Sequence, residues 1–339
     1  MPRPIMLKGH DRPVSQVLFN REGDLLFTAS KGKSKNCAVW RPDTGERIGT
    51  YDGHAGAVFS MAISFRSTFL LTASGDSTTI LWELRTGKIL ATFKHATPAR
   101  WVNFAIGDKK FLTVTKGVMG KTPEIAIYEV ENPYDIQSTE PITRIPGKAQ
   151  FVKAYWGPLN ENIYACCANG AIYVFDGQTG EEKQMIQPHT NEITGFEFSA
   201  CKQFFATASK DKEGKIFDTK TLECLKTIVS GRPLNDVAIS PNRPHIFIVG
   251  GQDVATVTQS ESADSSQFRA RVYHTVHEIE IGSIQGHFAP VNSVTVSPDG
   301  KIMVTGGEDG YARINKLDSS YFEGLSDEVL FPMEEPDLQ

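Results

Sequence analysis

The chain has 339 residues, 40% of them apolar and 22% charged, enough hydrophobic material for a sizeable core. Its formal net charge of −5 gives no reason to expect nucleic acid as the main ligand. The negative sign comes from one end: Asp318 to Gln339 holds seven acidic residues and no Lys or Arg, leaving 35 basic against 33 acidic residues in the body. The five cysteines, Cys37, Cys166, Cys167, Cys201 and Cys224, are odd in number and lack C-x-x-C spacing. The opening "MPRPIMLKGH" has no apolar signal core, and no apolar run approaches the ~18 residues needed to span a bilayer. These features predict a reduced, cytoplasmic setting, with the cysteines as small buried residues.

Internal repetition is the strongest signal in the chain. Gly-His pairs stand at Gly9-His10, Gly53-His54 and Gly286-His287, with weaker cognates at Lys94-His95 and Pro188-His189. Degenerate copies lie near Gly147-Lys148 and Gly231-Arg232. From His10 onward the seven starts are 44, 41, 53, 41, 43 and 55 residues apart, the period of a propeller blade with two insertions.

Unit one reads "VSQVLFN", "LLFTAS" and "CAVW". Unit two is the cleanest. Residues 58–64 alternate apolar and polar as a half-buried strand, 69–74 form a more buried strand, and "GDST" turns the chain. A third strand is predicted over 79–84, "RTGK" turns again, and a fourth covers 89–93. Unit four repeats this with "FVKAYWG" and "IYACCANGAIYVFDGQTGE", and unit five with "ITGFEFS", "FFATAS" and "KIFD"; units three and six match poorly. Unit seven reaches a third strand at "YARINKL" and lacks a fourth, while "PIMLKG" at the N-terminus has no unit of its own.

The expectation is an all-β, seven-bladed β-propeller of four-stranded antiparallel blades over residues 1–318, closed by the N-terminal strand pairing with the last blade. Helices should be scarce, and 319–339 form an acidic tail. Its apolar residues, beginning with Tyr321 and Phe322, leave two readings open: a solubilising tail, or one that docks on the propeller or a partner.

A polar set recurs inside the units. His54, Ser74, Asp76 and Trp82 are matched by His189, Ser209, Asp211 and Phe217, and His287, Asp309 and Asn315 keep the spacing with Gly307 in the serine's place. A catalytic triad is built once, with an exposed nucleophile. A set that recurs and degrades reads better as structure, a buried histidine bonded to a turn aspartate, a strand hydroxyl and an indole N–H.

The Gly-His starts, the Asp turns and the terminal pairs Trp82-Glu83, Phe175-Asp176 and Phe217-Asp218 resemble the WD-repeat family over residues 5–318. A closer resemblance runs through "MLKGHDRPVSQVLFNREGDLLFTASKGK", "YDGHAGAV", "LTASGDSTTILWEL", "GGQDVATVT" and "GHFAPVNSV" to "GGEDGYARI". These segments are similar, in order, to the i-subunit family of eukaryotic translation initiation factor 3. That resemblance implies a non-enzymatic scaffold subunit without a cofactor. It implies a monomeric propeller in a hetero-oligomer, with the b and g subunits as partners and the small ribosomal subunit reached through the complex.

Other motifs read as near misses. "GVMGKT" and "KGKS" imitate a phosphate loop, but Thr115 and Phe27 stand where its first glycine belongs. His274 and His277 are three apart, which on a strand sends them to opposite faces and argues against a shared metal. Lys31, Lys33 and Lys35 make a short basic loop, and 258–267 a serine-rich one. For partner binding the sequence offers Lys210, Asp218, Lys220 and Arg232, charged turn residues of units five and six, with an extended or helical segment expected along the outer side of those units. The competing reading is a peptide adaptor in a signalling or ubiquitin-ligase assembly. A phosphopeptide reader needs several arginines on one face, and the loops beside the Gly-His pairs show none at regular spacing.

Overall fold

The computed structural model describes residues 3–32, 35–118, 120–251, 268–318 and 321–322. They form seven separate four-stranded antiparallel sheets. The innermost strands are Val14–Phe19, Val58–Ile63, Ala99–Phe104, Phe151–Trp156, Ile193–Phe198, Leu234–Ile239 and Val291–Val296. Each leads outward through its own blade, and neighbouring inner strands pack side by side around a central channel. The second strands, such as Phe69–Ser74, are buried along nearly their whole length because neighbouring blades cover both faces, hence their uninterrupted apolar sequence. The one helical turn longer than two residues among those described is the 3-10 segment Pro158–Asn160. Among the described residues no helix is long and apolar enough to cross a membrane.

Blade 7 is made from both ends of the chain. Ile5–Leu7 pairs with Ala312–Lys316, Ile5 opposite Ile314 and Leu7 opposite Ala312. Leu7 then packs among Val14, Leu26, Trp40, Val304 and Ile314, so one side chain joins the first blade to the last. The poorly matching units three and six fold into complete blades all the same.

Every inner strand carries a bulge after its first residue, at Ser15, Phe59, Arg100, Val152, Thr194, Asn235 and Asn292. A bulge re-aims its side chain, and four of these reach the next blade. Ser15 donates to the Val58 carbonyl (2.5 Å), Thr194 to Leu234 (2.8 Å), Asn235 to Val291 (2.8 Å) and Asn292 to Val14 (2.8 Å). Each acceptor opens the neighbouring inner strand.

The inner strands are also sheet edges, whose N–H groups must find partners. Side chains of the adjacent blade supply most of them. Met61 N–H donates to Gln16, Val102 to Ser60, Trp156 to Asn103, Ile239 to Glu197, Val294 to Asp236 and Val17 to Ser293. The remaining junction, between blades 4 and 5, is bridged by Lys202 Nζ donating to the Trp156 carbonyl (3.1 Å). Lys153 and Asp236 form an ion pair across the channel wall (3.0 Å). Gly195 sits between them in sequence, and a Cβ there would stand 2.9 Å from the Asp236 Cα, so this close approach of blades 5 and 6 requires glycine.

Leu7→Ala empties a buried position where the two chain ends meet and should cost about 2–5 kcal/mol. Met6→Ala, half-exposed on the same strand, should stay within about 0.5 kcal/mol. The urea midpoints of the two variants check this.

Candidate interaction surface and the blade clasps

In blade 2, His54 is buried. Its Nε2 lies 2.7 Å from Thr72 Oγ1 and its Nδ1 3.0 Å from Asp76. Trp82 donates its indole N–H to the same Thr72 oxygen (2.8 Å). One proton arrangement satisfies every group: the indole donates to Thr72, the Thr72 hydroxyl to His54 Nε2, and His54 Nδ1–H to Asp76. Asp76 also accepts from Ala55 N–H, Thr78 N–H and the Thr78 hydroxyl. The loop entering the blade, its second strand, a turn and its third strand are thereby clasped together. Gly53 precedes the histidine because a Cβ there would meet the Trp82 ring at 2.9 Å.

The sequence pattern included Ser74 and Ser209 in this set, and the structure places them otherwise. The hydroxyl that meets the histidine is Thr72, two residues earlier on the strand. Ser74 instead accepts the Asp76 backbone N–H (3.2 Å), and Ser209 accepts that of Asp211 (3.1 Å). Strand alternation points both hydroxyls the same way, and only the one deeper in the blade reaches the imidazole. His189 meets Thr207 and Asp211 (both 2.8 Å), with Phe217 in the indole's place. His287 meets Thr305 (2.8 Å) and Asp309 (3.1 Å), and Arg313 adds a 2.7 Å ion pair to Asp309. Blade 1 keeps His10, Thr28 and Trp40.

Burial lowers the pKa of all these histidines, offset only in part in His54, His189 and His287 by their aspartates; it pushes His10 down to about 4, and likewise His95, which lies outside the clasps between Thr79 Oγ1 and the Tyr128 hydroxyl. Burial alone would raise Asp76, but hydrogen bonds from Thr78, from the His54 ring and from Ala55 N–H outweigh it and hold it below the usual carboxylate range. Thr72 and Ser74 are wholly buried, so the constellation offers no exposed nucleophile. His189, Asp211 and Glu213 lie close enough to share a cation, but both His189 ring nitrogens are already engaged.

His274 and His277 depart from the strand-parity expectation. The strand ends at His274, the chain turns, and the two rings face each other at 4.5 Å. Lys31 is paired with Glu308 (2.7 Å); Lys33 and the serine-rich loop 258–267 lie outside the described residues.

The four charged residues proposed for partner binding do not converge. Lys210 sits at the channel mouth, bonded to Asn235 (2.5 Å), and Arg232 lies in the loop entering blade 6. Asp218 and Lys220 are at the other end of blade 5, in the turn between its third and fourth strands. Asp218 is occupied there, accepting the N–H groups of Lys220 and Thr221 (both 2.8 Å), which hold its carboxyl below the ordinary range.

The outer side of blades 5 and 6 offers something different. The edge strand Cys224–Val229 exposes Leu225 (52%) and Val229 (69%), and Val276 and Ile279 are exposed on blade 6. Lys226 and Glu278 form a 2.8 Å ion pair that ties the two blades together here. Sequence reasoning chose the region and missed the side chains. The available signal was that Leu225 and Val229 share one parity of a fourth strand whose other parity supplies the buried Ile228.

Comparison with known proteins adds the family. The family model EIF3I matches residues 2–327. Eukaryotic translation initiation factor 3 subunit I of Taeniopygia guttata is 40% identical over 322 residues, covering 95% of this chain and 98% of the relative. The Homo sapiens protein of the same name is 39% identical with the same coverage, and that of Drosophila erecta 39% identical over 326 residues. The chain belongs to the eukaryotic translation initiation factor 3 subunit I family. For a translation initiation factor subunit of this family, the clasped histidines are the frame, and the outward faces are where recognition has room.

Thr72→Val strands a buried indole N–H and a buried imidazole nitrogen together and should cost about 2–4 kcal/mol. Ser74→Ala removes one local backbone contact and should cost about 1 kcal/mol. Equilibrium unfolding of both separates the two hydroxyls.

Proposed function

We propose that this protein is a non-catalytic scaffold subunit of translation initiation factor 3 in the cytoplasm, holding the b subunit along the outer side of blades 5 and 6 and contacting the g subunit elsewhere. The observation that carries this is the exposed edge strand Cys224–Val229, with Leu225 and Val229 turned to solvent beside Val276 and Ile279. An exposed edge carries unpaired backbone groups and invites a partner. A segment of the b subunit presenting spaced apolar side chains would cover these four residues, either as an added strand or as a helix lying along the blades. The Lys226–Glu278 pair keeps the spacing between the two blades fixed, so the partner meets a preformed surface. Through the assembled factor the propeller reaches the small ribosomal subunit without needing a nucleic-acid site of its own.

Leu225→Asp combined with Val229→Asp should leave the fold intact, since both side chains are solvent-exposed. Pull-down of the tagged protein from cytosol, read by mass spectrometry, should then lose the b subunit at least about tenfold, equivalent to about 1.4 kcal/mol. Unchanged recovery of b with the double variant would overturn the assignment of this surface. Recovery of kinases or ubiquitin-ligase components in place of factor 3 subunits would overturn the function.

A further inference from the structure

The seven bulge residues of the inner strands do not all serve the ring. Ser15, Thr194, Asn235 and Asn292 tie each blade to the next. Phe59, Arg100 and Val152 do not, yet all seven line one recess of about 310 Å³ at the clasp-side mouth of the channel, together with Lys31, Lys153 and Lys210. Arg100 is half-buried there and has no hydrogen bond or ion pair among the described residues. Its guanidinium lies over the Phe59 ring, 4.5 Å from the centre. A cation drawn partly out of water needs a counter-charge, and an aromatic face offsets only part of the cost. Trp101, the next residue, lines the same recess; it is 7% exposed, and its indole N–H is buried without an acceptor. Such orphaned donors are uncommon in folded proteins.

The wall itself cannot supply the missing acceptor. The one carboxylate lining the recess, Asp236, is taken by Lys153 (3.0 Å), the Ser293 hydroxyl and Val294 N–H, and the Asn235 oxygen by Lys210 (2.5 Å). On the rim, Glu308 holds Lys31 (2.7 Å). Glu192 is the remaining rim carboxylate, and it offsets in part the lowering of the Arg100 pKa by burial. Lys210 donates its backbone N–H to the Glu192 carbonyl (2.9 Å), so Arg100 and Lys210 face each other across the mouth. Four cations against three carboxylates leave wall and rim with one positive charge in excess. The clasp aspartates lie outside the recess, each bonded to its own histidine.

We propose that this recess binds a carboxylate, the side chain of an Asp or Glu in an extended acidic peptide, held between Arg100 and Lys210. A guanidinium takes a carboxylate through two parallel hydrogen bonds, which a half-buried site strengthens. An excess of one charge matches a monoanion, whereas a phosphate dianion calls for a cluster of arginines. The site is on the clasp face, apart from the outer edge of blades 5 and 6, and does not depend on the b-subunit surface.

Indole N–H resonances of the full chain, followed by NMR at low salt, test this. A Gly-Ser peptide with one central glutamate should shift one of the four indole signals, the one missing from Trp101→Phe, along a saturable curve. The same peptide with glutamine should not. Arg100→Gln should weaken the glutamate peptide about tenfold while keeping the urea midpoint of the parent. Lys210→Gln, whose ammonium bonds only a neutral amide, should weaken it in the same direction. A Trp101 signal that stays fixed, or one that answers the glutamine peptide equally, would overturn the proposal. Tighter binding of a phosphoserine counterpart would overturn the assignment to a carboxylate.

Discussion

Everything in this molecule depends on the fact that its seven sheets share no strand ladder. A ring built from separate sheets has seven inner edges open to a channel, and the two ends of its chain must meet inside one blade. The edges are satisfied by side chains borrowed from the next blade: Gln16, Ser60, Asn103, Glu197, Asp236 and Ser293 each accept a neighbouring inner-strand N–H. The chain ends meet where Ile5–Leu7 pairs with Ala312–Lys316 in blade 7. Removing any of these leaves a buried donor unpaired, which is why the inner strands carry polar residues that a simple apolar–polar alternation would not require.

The clasps do the same work within blades 2, 5 and 7. A neutral histidine reads the hydroxyl of its own second strand and the carboxylate of its own turn, fixing the loops that surround the channel mouth. The periphery by contrast leaves apolar side chains exposed on the Cys224–Val229 edge, whose distance from blade 6 is fixed by the Lys226–Glu278 pair.

Much of this was legible in the sequence. The Gly-His period placed all seven blades, and the strands of unit two fell within about one residue of those observed, because turn glycines and apolar runs mark blade boundaries strongly. The leftover N-terminal strand and the missing fourth strand of unit seven predicted the closure. The clasp was seen with the wrong hydroxyl, since Ser74 and Thr72 share a face and only depth in the blade distinguishes them. The bulge after each inner strand's first residue left no mark on periodicity alone, though Ser15, Thr194, Asn235 and Asn292 show it in hindsight as polar residues between two apolar ones. Strand parity did not apply to His274 and His277 because the strand ends between them. The charges Lys210, Asp218, Lys220 and Arg232 do not share one patch, because turn residues of one blade lie at opposite ends of it.

The most direct test of the clasps is the pH dependence of global unfolding. Histidines whose folded pKa lies below their unfolded value bind fewer protons folded than unfolded, so stability is full above about pH 6.5 and declines as pH falls toward the folded values, which for His10 and His95 are about 4. His54, His189 and His287 act in the same direction. Glu197, raised to about 8 by burial in the channel wall, acts the other way, but it is one group against five. Urea unfolding at about pH 7.5 and about pH 5 should therefore show one cooperative transition at each pH, with the midpoint lower in acid by a few kcal/mol of stability. A midpoint that holds or rises on acidification would mean that the histidines are charged in the folded ring, and a clasp built on neutral imidazoles would be wrong.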